Sequence, residues 1–164
     1  MKAPRSLGAF GITMFLSLFG ASCLVKQCAP PPVSAPIDIS APCADLVNAA
    51  RSSAGLAPLA VNGPLNVAAE LHSTDQAQRE DMTHAGSNGS DAGVRIERQG
   101  YSWSTWAENV AAGQPDCPAV VDAWMHSAGH RANILNPSLT DIGVGAVTGS
   151  NGVVYWTMDF AAAA

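Results

Sequence analysis

Basic side chains are scarce in this sequence. Only 8 of its 164 residues are Lys or Arg, against 13 Asp and Glu. Lys2, Arg5 and Lys26 fall within the first 28 residues, where no acid occurs, so the remainder carries a net charge of −8. Such a surface repels a phosphate backbone instead of releasing its counterions. No basic patch interleaved with aromatics offsets it, so nucleic acid is not an expected partner. Charge of either sign is sparse as well, at 13% against 48% hydrophobic residues. That balance excludes a disordered chain and can fill the core of one domain. Several motifs are missing. Without G-x-G-x-x-G or a P-loop, no nucleotide cofactor is indicated. Without H-E-x-x-H or C-x-x-C, neither a helical zinc protease site nor a thiolate zinc site is indicated. Without G-x-S-x-G, a serine nucleophile such as Ser127 has no elbow to sit on.

What is present begins with an address. Met1 to Arg5 is basic, residues 7–22 (LGAFGITMFLSLFGAS) are uncharged, and small residues lead to Cys23. This is the layout of a secretory signal peptide, expected over 1–28. The apolar run is short and glycine-broken for a permanent membrane span. Small residues before Cys23 also resemble a bacterial lipoprotein signal, in which that cysteine is acylated, although Gly20 stands where an aliphatic residue is usual. Plain secretion and lipidation at Cys23 both stay open, and contact with a membrane is expected only through the signal or a lipid. Residues 29–39 (APPPVSAPIDI) are rich in proline and read as a polyproline tether. The folded domain is expected over 40–164.

An exported chain meets an oxidising compartment. Of the four cysteines, Cys23 and Cys28 belong to the signal or tether, which leaves Cys43 and Cys117. One bridge between them is the simplest expectation, with two buried thiols as the alternative. Closing a loop of about 75 residues stabilises by roughly 4 kcal/mol at most in the chain-entropy account.

Along the domain, Ser40 and Pro42 signal a helix start and Gly55 its stop. Asn62-Gly63-Pro64 opens a second helix, in which Leu65, Ala68, Leu71 and His72 recur at helical spacing towards Met82. A glycine-rich loop follows, then a short helix capped by Ser90 and closed by Gly100. Residues 105–111 (TWAENVA) read as an inner strand, and Asp116 caps a helix through Trp124 that ends by Gly129. Residues 141–148 and 153–160 flank the turn Gly149–Gly152 as a hairpin. Helices first and strands late give an α+β fold, a sheet covered by helices.

The four histidines are His72, His84, His126 and His130. His126 and His130 have a spacing of four, but Gly129 interrupts any shared helix face, so they are not expected to act together. His84 sits in a glycine-rich loop, and Glu108 in an otherwise apolar segment where a carboxylate needs a partner or a cleft. Converging with His130, these residues would suit a divalent ion such as Zn²⁺ with an open position, or proton transfer near neutral pH. A surface histidine, a structural carboxylate and a histidine at a helix start remain the plainer alternative.

In order, the runs THAG, GYSW, AENVA, WMHSAGHRANIL and GVG, followed by VVYWTMDFA, resemble the bacterial branch of the CAP superfamily (cysteine-rich secretory proteins, antigen 5 and pathogenesis-related proteins; SCP-like). The resemblance covers about 40–161. It implies a three-layer α-β-α sandwich with a central cleft, which in many members is lined by two histidines and two glutamates and can hold a divalent ion. The first histidine falls on His84, the first glutamate on Glu108 and the second histidine on His130. The second glutamate position is Ser127. His84 and His130 are thus the implied metal ligands, and the loss of one carboxylate implies weak metal binding. The expectation is a secreted or envelope-tethered protein that binds through a cleft lined by His84, Glu108, Ser127 and His130. It would take a small apolar ligand, an envelope component or a weakly held divalent ion, with no required cofactor. A metal-assisted hydrolase with Glu108 as base, and a partner-binding domain with a vestigial cleft, are the alternatives.

Overall fold

A computed structural model describes residues 39–164. The signal over 1–28, acylation at Cys23 and the tether over 29–38 lie outside the described residues. The elements are α1 (Ser40–Ser53), β1 (Ala60–Val61), α2 (Gly63–Arg79), α3 (Ala92–Arg98), β2 (Trp103–Ala112), α4 (Cys117–Met125), α5 (Ala128–Ile134), β3 (Asp141–Thr148) and β4 (Val154–Ala163). Their boundaries follow local chemistry. Asn62 accepts from the Leu65 amide and Asp116 from that of Ala119, and a proline sits in the first turn of each helix. Two caps differ from expectation. Ile39, not Ser40, precedes α1, with no side-chain cap. Asp91, not Ser90, caps α3, because its carboxylate reaches the Val94 amide at 2.8 Å.

The sheet order is β1-β3-β4-β2. The β3–β4 hairpin occupies the centre, β2 flanks it antiparallel, and β1 pairs parallel with β3. Helices α1, α4 and α5 cover one face, and α2 and α3 the other. The fold is therefore an α+β sandwich of three layers, α-β-α. Strand alternation sorts the core. Ile142, Val144, Trp156, Met158 and Phe160 pack with Cys43, Val47, Val120 and Trp124 on the first side. Leu65, Ala68, Ile96 and Ala161 pack on the second. Glycine lets α2 lie directly on β3. A Cβ on Gly143 would fall 2.1 Å from the Leu65 carbonyl carbon, and one on Gly145 2.4 Å from the Glu70 nitrogen. Cys43 and Cys117 form the disulfide, tying α1 to α4 with a Cα–Cα distance of 5.2 Å.

Candidate functional site

Glu108 lies in β2 directly opposite Asp159 of β4, and Asp159 is opposite Gly143 of β3. Burial leaves the Glu108 side chain 2% exposed, and both of its oxygens are engaged. Oε1 lies 2.7 Å from His84 Nδ1. Oε2 accepts from the Arg95 guanidinium, which α3 presents from the buried side of its single two-turn face. Arg95 also donates to the carbonyls of His84 and Ser90, at 3.1 and 2.9 Å, so one side chain anchors both the acid and the loop that carries His84. His72 of α2 packs behind the pair. Its Nε2 is 2.8 Å from the Thr83 carbonyl and 3.9 Å from Glu108.

The next residue in β2, Asn109, points to the opposite face. Its amide donates to the His130 carbonyl at 3.1 Å. Asn133 of α5 donates to the Glu108 carbonyl and to Asn109 Oδ1. This amide pair fixes α5 against β2 and so sets where His130 stands. Two neighbouring hollows result. One, about 290 Å³, is lined by His84, Glu108, Trp106, Ala107 and Asn133. The other, about 350 Å³, is lined by Met82, Val110, Ala111, Trp124, Ser127 and His130. His84 and Glu108 thus share the first, and His130 and Ser127 the second. His126 is exposed on the end of α4 and bonds its own helix, away from both.

Electrostatics separate the imidazoles. The hydrogen bond to Glu108 raises the His84 pKa, outweighing the opposing effect of burial. Burial lowers that of His130, and the charge on His84 adds to the effect. Burial likewise keeps His72 neutral-leaning, although Glu108 pulls the other way. Asp159 is wholly buried, and neither of its oxygens meets a donor, because its neighbour Glu108 is an acceptor too. Burial first, and the Glu108 charge second, push its carboxyl well above the usual range.

The donor set does not fit a closed metal centre. Glu108 has both oxygens occupied, and the Arg95 guanidinium already supplies the compensating cation. No cluster of three His, Cys, Asp or Glu side chains is placed to hold a metal among the described residues.

Sequence reasoning missed Arg95, Asp159, Asn109 and Asn133. Asp159 carried the same signal as Glu108, an acid inside an apolar strand. Arg95 carried a weaker one, a cation between Ala92 and Ile96 on the inward stripe of a short helix.

The model of the cysteine-rich secretory protein family (CAP) matches residues 44–160. The uncharacterized protein YkwD of Bacillus subtilis is 38% identical over 130 residues, covering 77% of this chain and 49% of that protein. The uncharacterized membrane protein YlbC of the same organism is 34% identical over 101 residues, covering 62% and 29%. The chain therefore spans half or less of the curated relatives it matches. Among solved structures, an extracellular protein containing an SCP domain from Bacillus anthracis matches with a TM-score of 0.67 at 30% identity, over 74% of this chain and 39% of that one. An outer surface protein from Borrelia burgdorferi matches with a TM-score of 0.71 at 20% identity, over 79% and 98%, a likeness of fold alone.

Proposed function

This chain belongs to the cysteine-rich secretory protein (CAP) family, and on that premise we propose that it is an exported or envelope-tethered protein that acts by binding a small apolar ligand or envelope component. The observation that carries this is the hollow of about 350 Å³ beside His130. Its floor is Val110, Ala111, Ala112 and Trp124, with the half-exposed Met82 on one side, and its polar groups are few: Ser127, His130 and Gln114. A mostly apolar hollow with a few convergent polar groups is suited to orienting an apolar molecule by one polar end. Export is supported by the basic and apolar leader ahead of the domain, by the disulfide, and by the extracellular Bacillus anthracis relative.

Glu108 is a poor base for a hydrolytic reading, because Arg95 and His84 hold both of its oxygens and would have to release it. Catalysis is therefore the weaker alternative, and a divalent ion would be held only by His84 and His130, weakly. Calorimetric titration with Zn²⁺ tests that ion. Shallow heats lost in the His84→Ala, His130→Ala double variant support it, and equal heats in both proteins discard it.

Amide-shift titration with 1-hexanol tests the binding reading. Saturable shifts are expected at Ala111, Trp124 and His130, and the half-buried Ala123→Glu on the hollow's wall should abolish them. Unchanged shifts in Ala123→Glu, or none in the wild type, would overturn it.

A further inference from the structure

A third hollow is bordered by Arg95 and His72 but not by Glu108, His84 or His130, and is separate from the two above. It lies between α2, α3 and the loop joining them, and encloses about 200 Å³. Ala68 and Leu71 form an apolar wall, with Leu71 54% exposed. Three ionised side chains line it, and two are already neutralised. Asp75 Oδ2 accepts from Arg79 at 3.0 Å and from the Ser87 amide at 2.8 Å. Arg95 is paired with Glu108. Arg98 has no hydrogen bond or ion pair among the described residues. It is the one uncompensated charge of the hollow.

We propose that this hollow is a second binding site, for a small monocarboxylate with a short apolar tail. Arg98 would hold the carboxylate, helped by the neighbouring amides of Asn88 and Gln99, while Leu71 and Ala68 would pack on the tail. One free cation matches one negative charge, because a guanidinium pairs a carboxylate through two parallel hydrogen bonds. The Asp75 carboxylate on the same wall disfavours a dianion such as phosphate. The loop is preformed: Ser87 is tied to Asp75, and a Cβ on Gly86 would fall 2.6 Å from Ser90 Oγ. Little ordering cost remains at binding. This site is independent of the hollow beside His130 and stands or falls without it.

The test uses 3-methylbutanoate and N-acetyl-alanyl-leucine as probes, each against its neutral carboxamide, at constant ionic strength and neutral pH. The two acids separate a free small acid from the terminus of a peptide chain, and saturable binding of either supports the site. Amide shifts are expected at Ser87, Asn88 and Gln99. Arg98→Gln should weaken the better acid about tenfold, whereas Arg131→Gln, on α5, should not. Leu71→Ser should weaken the same acid yet leave acetate unchanged. Binding that persists in Arg98→Gln, equal binding of acid and carboxamide, or no saturable shift up to tens of millimolar would overturn the proposal. Arg98 is exposed, so its variant is expected to fold, and an unchanged amide spectrum away from the hollow verifies that it has.

Discussion

Asp159→Asn should make the protein increasingly more stable than the wild type as pH rises, although it replaces a fully buried carboxyl at the centre of the molecule. Asp159 is completely buried on β4, its oxygens lack donors, and Glu108 faces it across the strand pair. Two adjacent carboxylates cannot both ionise cheaply in a dry interior, so a proton shared between them turns an acceptor–acceptor contact into a hydrogen bond. The folded carboxyl of Asp159 is held above its ordinary 3.8 by burial and then by Glu108. Within the window from 3.8 up to the folded value, the native state keeps a proton that the unfolded chain has released. Stability therefore falls as pH rises, by about 1.4 kcal/mol per pH unit when the difference is one whole proton. An asparagine fills the same space and offers Glu108 an N–H without holding a proton. The difference between variant and wild type should then grow as pH rises from about 4.5, by at most about 1.4 kcal/mol per unit, and level off once the folded carboxyl of Asp159 has lost its proton. His72 titrates in both proteins and cancels in the difference. Urea denaturation followed by tryptophan fluorescence measures the free energies, and a protonated-carboxyl infrared band absent from Asp159→Asn reports the proton itself. Parallel stability curves, or a variant that loses ground as pH rises, would refute the reasoning.

Other expectations follow from the packing. Arg51 is buried and donates to the carbonyls of Ala57, Ile134, Asn136 and Leu139, so Arg51→Met should cost about 3 kcal/mol in chemical denaturation by stranding those acceptors. Gly143→Ala should cost about 3 kcal/mol or prevent folding, because the backbone of α2 cannot rotate away from the new methyl, whereas Gly129→Ala, which meets open space, should lower the melting temperature little or raise it. Replacing Cys43 and Cys117 together by alanine should cost at most about 4 kcal/mol, read from the same denaturation curves.

Short-range chemistry was the legible part of the chain. Asn62, Asp116 and the proline beside each marked helix starts within a residue, and the Gly149–Gly152 turn marked the hairpin, because caps and turns are decided by neighbours. β1 was not legible: two residues have no periodicity, and only pairing with β3 makes them a strand. Ser40 looked like a cap but lies inside α1, since the helix begins one residue earlier than its hydroxyl suggested. In the site, Glu108 was legible as an acid in an apolar strand that needed a partner, but its partners were only half so. His84 could be named from the loop motif. Arg95 could not, because it reaches Glu108 through the placement of α3 on β2. Asp159 carried the signal of an acid in an apolar strand, but its contact with Glu108 did not show, because that depends on cross-strand register between segments about fifty residues apart, which no local pattern encodes.

The most direct measurement of the central claim is where a bound apolar molecule sits. Intermolecular nuclear Overhauser effects from 1-hexanol to the Met82 methyl, the Trp124 indole and the His130 ring are what the account predicts. Effects confined to other surfaces, such as the groove lined by Pro115, Val154 and Trp156 beside the disulfide, would contradict it.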